Sequence, residues 1–359
     1  MKNFKHLLVF ALIFVLIASM MTSCDLLAMF SNDEDVKTNE GTDDATTTTT
    51  VPPTTTTTTE IVDPDPEPDP KDEGFILIYT AEELLDVIAK LNSGEIANDT
   101  QIRLKDDIDL EGIDFTPIYE FRGLFDGNEH IISNIVLPLN GATISLTDGN
   151  WVGYTVTSIG FFGSAYDATI TNLTLENVTA NYETNKEIFV GALVGYTEGL
   201  IVENCFVNST FDITVTHESV GVRNISGVAG LIGYSLDAHV EDTEIDTTID
   251  YTANSYEAFA ASVLGVGNVR VQSCTILLDI SFTGDRYGHT GSIIGMERTP
   301  ENIRLACMYD SIVSGTLNIN NPYGYAWGAV GQGYLYDPDT REFLDLEAHN
   351  SIDVTITME

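Results

Sequence analysis

Gly160-Phe161-Phe162-Gly163, Ala192-Leu193-Val194-Gly195, Gly230-Leu231-Ile232-Gly233, Ser262-Val263-Leu264-Gly265, Ser292-Ile293-Ile294-Gly295 and Gly328-Ala329-Val330-Gly331 are six copies of one short apolar segment that closes on glycine. Successive closing glycines stand 32, 38, 32, 30 and 36 residues apart. A second, alternating segment follows each of the first five: Leu173-Thr174-Leu175, Cys205-Phe206-Val207, Thr243-Glu244-Ile245, Cys274-Thr275-Ile276 and Ser311-Ile312-Val313. Its first residue comes 10, 10, 10, 9 and 16 positions after the glycine, which places an insertion within residues 296–310. A third segment completes the unit, as in Phe211-Asp212-Ile213-Thr214-Val215 or Ile280-Ser281-Phe282.

Three short strands in one unit of this size bury no face by themselves. Stacked units bury a continuous core, each strand pairing with its equivalent one unit away. Parallel neighbours then lie about 4.8 Å apart and their inward side chains form columns. Leu173, Cys205, Thr243, Cys274 and Ser311 are expected to form one such column. The glycines suit corners with positive φ or places where backbones approach closely. A β-propeller needs four strands per blade and a period of about 40 or more. A sandwich leaves the similarity of the units unexplained. The predicted fold is all-β, a parallel β-helix.

Upstream the pattern changes. Thr80-Ala81-Glu82-Glu83 has the form of a capping box, and Leu84, Leu85, Ile88 and Leu91 fall on one face before Asn92-Ser93-Gly94 ends the run. A short N-terminal capping helix is expected there. Residues 31–74 are nearly devoid of apolar residues and include two threonine runs and Asp63-Pro64-Asp65-Pro66-Glu67-Pro68-Asp69-Pro70. Alternating proline and mutually repelling acids keep such a segment extended. Residues 24–74 are read as a disordered tether and 75–359 as the β-helix domain.

Residues 1–23 read as a signal peptide. Lys2, Lys5 and His6 precede an apolar run over residues 7–18, and Met21-Thr22-Ser23-Cys24 follows. The last four residues resemble a bacterial lipobox, which implies cleavage before Cys24 and a lipid on that residue. The alternative is an uncleaved anchor, since residues 7–24 carry no full charge and approach the roughly 20 residues that span a bilayer. Either way the remainder lies outside the membrane.

The Gly-Leu-Ile-Gly type segment, followed by Asn204-Cys205-Phe206-Val207, resembles the GLUG motif of bacterial secreted and surface proteins. Asp106-Asp107-Ile108-Asp109-Leu110, Pro117-Ile118 and Phe121-Arg122-Gly123-Leu124-Phe125-Asp126-Gly127-Asn128 look like the segment that commonly precedes such repeats. The resemblance spans about residues 76–335 and implies a right-handed parallel β-helix on a surface protein. The first motif glycine is replaced at Ala192, Ser262 and Ser292.

The 359 residues include 55 acids and 15 bases, a net charge of −40. Residues 1–23 contain two lysines and no acid, so the chain without them carries −42. Such a chain repels nucleic acid and anionic membrane surfaces. Partners are expected to be a surface glycan or a protein, with the membrane reached through the lipid at Cys24. No His-Glu-x-x-His or Gly-x-Ser-x-Gly occurs. Gly288-His289-Thr290-Gly291 faintly resembles a turn of β-helical pectin hydrolases and is read as a plain turn. Asp106, Asp107 and Asp109 alternate with Ile108 and Leu110, as on a half-buried strand with solvated acids. Asp126-Gly127 reads as a turn. No catalytic residue, metal ligand or cofactor is assigned. Tyr323, Tyr325 and Trp327 offer flat amphipathic faces, either as a ligand platform or as a cap on the last coil.

Cys205 and Cys274 are expected two units apart in one column, about 9–10 Å, beyond the roughly 7 Å that a disulfide bridges. Cys307 falls in the inserted turn. A non-catalytic adhesin-like module is the leading expectation. A glycan-active lyase or hydrolase and a purely structural envelope protein are the alternatives.

Overall fold

Ile, Val, Thr, Phe and Tyr dominate the period-two segments, and such residues suit a pleated, half-buried surface. The computed structural model describes residues 70–147, 152–217, 224–284, 287–297, 306–322, 325–326, 329–332 and 349–358. These lie within one compact unit, Pro66–Glu359. Among the described residues the strands build three sheets of 12, 8 and 7 strands. Every named strand pair is parallel except Ala142–Ser145 against Thr155–Ile159. The protein is therefore mostly β, with long parallel sheets.

One repeat passes through all three sheets. Ile225–Ala229 lies in the seven-stranded sheet, Ile232–Glu241 in the twelve-stranded and Glu244–Ala253 in the eight-stranded. Each pairs with its equivalent one repeat later, Glu257–Ala261, Leu264–Gln272 and Thr275–Gly284. The strand limits differ from the sequence reading. The second and third segments are one continuous strand, and the remaining strand precedes the apolar closing segment. Gly230 and Leu231 form a bend between two sheets, so the motif is a corner rather than a strand.

The closing glycines are sites of close approach. A Cβ on Gly233 would lie 2.6 Å from the carbonyl oxygen of Gly195, one on Gly265 2.6 Å from that of Gly233, and one on Gly295 2.6 Å from that of Gly265. Positive φ falls elsewhere, on Asn172 (52°), Asn204 (51°), Asp242 (47°), Ser273 (54°) and Asp310 (51°). Each stands immediately before a member of the column Leu173, Cys205, Thr243, Cys274 and Ser311, all of them buried. Inward columns such as Leu175, Val207, Ile245, Ile276 and Val313 run in register along the eight-stranded sheet. Burying each such side chain contributes about 1.5–3 kcal/mol.

The helix Ala81–Ser93 has the expected capping box: Glu83 N–H donates to Thr80 Oγ1 at 3.2 Å, and Thr80 N–H donates to Glu83 Oε2 at 3.2 Å. Its buried face is Leu84, Val87, Ile88 and Leu91. Val87 takes the place expected for Leu85, which is only half-buried. These residues join the same core as Ile118 and Phe121. Just upstream, Asp72 accepts from Lys105 Nζ at 2.8 Å and pairs with Arg103 at 3.2 Å, which ties Pro70–Asp72 to the first strands. The described helix is too short to cross a membrane, and no other described helix is long and apolar enough to do so.

The insertion can be placed by register. Gly267 pairs with Glu297 and Arg270 with Cys307, so three steps along one strand face ten along its neighbour. Residues 298–305 lie outside the described residues. Cys307 itself begins the strand Cys307–Tyr309 and is buried, while its neighbours Ala306 and Met308 belong to the main core. Cys205 and Cys274 are free thiols. Burial pushes the Cys205 thiol up to about 12 and that of Cys274 to about 11.

Candidate functional site

Inward and outward residues alternate along the strands of the eight-stranded sheet, broken by a register shift between Leu175 and Val178, so its outer face repeats with the chain. Thr179, Thr210, Thr248, Asp279, Thr316 and Thr355 form one outward column. Asn181, Asp212, Asp250, Ser281, Asn318 and Thr357 form the next, two residues along. Strand spacing of about 4.8 Å and a two-residue step of about 6.6 Å make this a lattice of hydroxyl, amide and carboxylate groups. Lateral bonds brace it, as where Thr316 Oγ1 donates to Asp279 Oδ1 at 2.5 Å and Asn208 Nδ2 to Asp246 Oδ2 at 3.1 Å. Leu277 and Ile312 add apolar patches, 48% and 52% exposed. No lysine or arginine stands on any of the eight described strands.

A groove of about 380 Å³ borders this face at the corner with the twelve-stranded sheet, between Glu129, Asn172, Asn204, Phe206, Asp242 and Glu244. The left-handed residues build it. Asn204 Nδ2 donates to Asn172 Oδ1 at 2.7 Å, and Asn172 Nδ2 to Asp126 Oδ1 at 3.0 Å. Asp126 ends the strand Leu124–Asp126, is buried, and pairs with Arg103 at 2.9 Å. The residue expected as a plain turn signal is the buried acceptor on which an amide ladder terminates. Ladder groups already bonded to each other form a rigid wall, while exposed Glu244 and half-buried Thr174 stand at its rim.

Cys24, Tyr323 and Trp327 lie outside the described residues. Tyr325 supplies backbone to the strand Tyr325–Ala326, in register with His289. Gly288-His289-Thr290 is not a turn. It belongs to the strand Tyr287–Thr290, paired with Glu257–Ala261. His289 stacks on Phe259 with centroids 5.6 Å apart, and its burial lowers the imidazole pKa to about 4. Ile108 and Leu110 are buried, with Asp106, Asp107 and Asp109 outward. Asp107 Oδ1 accepts from Ile131 N–H at 3.0 Å and lies 3.1 Å from His130 Nδ1; these two contacts, the backbone one first, hold its carboxyl below the usual range. Asp109 Oδ1 accepts from Asn134 Nδ2 at 2.8 Å and from Glu111 N–H at 2.9 Å, which lowers its pKa as well. Among the described residues no three His, Cys, Asp or Glu side chains gather as a metal site.

No residue of the outer lattice was singled out from sequence, although its signal was present. Aligning the repeats on the closing glycine and counting in twos marks Thr210, Thr248 and Thr316 as outward.

No family model matches the chain, and no curated protein matches it. It is similar to the crystal structure of a Bacteroides ovatus protein provisionally named an immunoglobulin A1 protease, at 14% identity and a TM-score of 0.46. That similarity covers 79% of this chain and 83% of the other. Likeness at this level carries no inference about activity.

Proposed function

We propose that this chain is a surface-exposed, lipid-anchored recognition module that binds a glycan or a protein without modifying it. Its three sheets are read as the faces of a right-handed parallel β-helix of GLUG-type repeats, carried on the tether of residues 24–74 and anchored through Cys24. The outer lattice of the eight-stranded sheet supports this reading most. A surface that repeats its hydroxyl, amide and carboxylate groups every strand matches a ligand that repeats as well, and a polysaccharide does so. Because the face has no basic residue, its partner is neutral or basic, or is bridged by divalent cations.

The test is a binding screen of neutral and acidic polysaccharides and basic proteins against the chain lacking residues 1–24, with and without calcium. Saturable binding is expected, weakened at least about tenfold by Thr248→Lys with Asp250→Lys, because two exposed substitutions leave the core intact. Unchanged binding in that variant excludes the face. Time-dependent depolymerisation of a glycan would instead establish a glycan-active enzyme. Mass spectrometry of the membrane-bound form tests the anchor: an intact residue 1–23 segment rejects lipidation at Cys24.

A further inference from the structure

His239 and Arg270 face one another on adjacent parallel strands of the twelve-stranded sheet, Ile232–Glu241 and Leu264–Gln272. Ala238, Val240, Val269 and Val271 belong to the core, so the period of two turns His239 and Arg270 outward on one face. Neighbouring strands put them about 4.8 Å apart. Ile201 continues the row on the other side, paired with His239 and 38% exposed.

One ring or guanidine nitrogen on each is left without a hydrogen-bond partner. Nε2 of His239 and Nε of Arg270 are closed off from solvent and make no hydrogen bond. Glu241 Oε2 stands 3.8 Å from His239 Nε2, beyond hydrogen-bond reach. The other described arginines are engaged: Arg103 pairs with Asp72 and Asp126, and Arg122 lies over the ring of Tyr166. In a chain with 55 acids and 15 bases, an arginine left without a carboxylate is the exception to explain. The side chains of His239 and Arg270 line a hollow of about 290 Å³, walled also by Gly199, Leu200, Ile201 and Asp237. That volume lies just below the roughly 300–1,000 Å³ of drug-sized ligand sites, as suits one sugar ring.

We propose that this hollow binds a sugar unit bearing a carboxylate, a hexuronate. Its carboxylate lies against the Arg270 guanidinium, whose planar fork matches two oxygens, with the His239 imidazole beside it. Its ring hydroxyls donate to Asp237, and its apolar ring face rests on Ile201. The same carboxylate disfavours phosphate or sulfate, which bring more charge and fewer donors. The net charge of −40 opposes any anion at long range, but at physiological ionic strength that field fades beyond about 8 Å, and inside it the guanidinium is nearest. This site lies on a different sheet from the lattice of the proposed function and stands independently of it.

Calorimetric titration of the full-length chain in detergent tests the site, with glucuronate and galacturonate as probes, glucose and galactose as neutral parents, and inorganic phosphate. Saturable binding of at least one uronate is expected, at least about tenfold tighter than its neutral parent or phosphate, because a site built for a polar group rejects the analogue lacking it. Arg270→Gln is expected to weaken uronate at least about tenfold, and Arg270→Lys by less because charge survives without the fork. His239→Gln weakens it less than Arg270→Gln, and melting temperatures hold in all three variants. Thr248→Lys with Asp250→Lys leaves uronate binding unchanged, which separates this site from the outer lattice. Equal affinity for uronate and neutral parent, tighter binding of phosphate, or a folded Arg270→Gln variant that binds as well as the natural chain would each overturn the assignment.

Discussion

Asn204 shows how much one side chain does at a repeating corner. Its backbone sits at φ 51°, its amide donates to Asn172, and the next residue, Cys205, is buried. Nine of the eleven described non-glycine residues with positive φ are Asn, Asp or Ser, whose short polar side chains bond to nearby backbone and tolerate that region. Asn204→Ala loses both advantages and is expected to destabilise the fold by about 1–2 kcal/mol. Asn204→Gly keeps the backbone freedom and loses only the bond, so its cost should be smaller. Urea unfolding of the two variants orders them; equal losses would show that φ contributes nothing at this corner. The corner was legible only in part. Asn204 was visible as a motif residue, but its positive φ was not; of the two roles expected for the motif glycines, positive φ or close backbone approach, the structure shows close approach at Gly233, Gly265 and Gly295.

The strand Tyr287–Thr290 is an element whose composition misleads. Two glycines around a histidine read as a turn, yet Gly288 and His289 pair with Ala258 and Phe259 in a parallel ladder. Tertiary pairing overrides the local signal because the neighbouring repeat supplies both hydrogen bonds and an aromatic face. His289 is consequently neutral in the fold, its pKa lowered by burial from 6.5 to about 4. The unfolded chain takes up a proton that the folded chain refuses, so this contribution to stability is present above pH 6.5 and is lost as pH falls through about 4. Proton NMR should give His289 a midpoint near 4, and His289→Phe, which keeps the stack on Phe259, should flatten the decline in melting temperature between pH 6.5 and 4. A midpoint at or above 6.5 would contradict the burial account.

Over the whole molecule, charge and stacking oppose each other. In-register columns hold the repeats together, while a net charge of −40 with no basic residue on the eight-stranded sheet pushes them apart. Raising the ionic strength from about 10 mM to 150 mM shortens the Debye length from about 30 Å to about 8 Å, and the melting temperature is expected to rise. A flat or falling response in a sodium chloride series would show that self-repulsion is negligible. The ends differ: the helix Ala81–Ser93 packs its apolar face onto the first, while Ile356 and Met358 of the last strand, Ser351–Met358, remain 39% and 57% exposed. The sequence by itself determined that the chain is a stack of β units, because a repeat period and a two-residue alternation are local properties written along the chain. It also determined the helix cap and the buried column from Leu173 to Ser311. Tertiary structure alone decided where each strand begins, which corner residues turn left-handed, and that His239 meets Arg270. Those depend on register between residues some 30 positions apart, and only the pairing of whole strands sets that register.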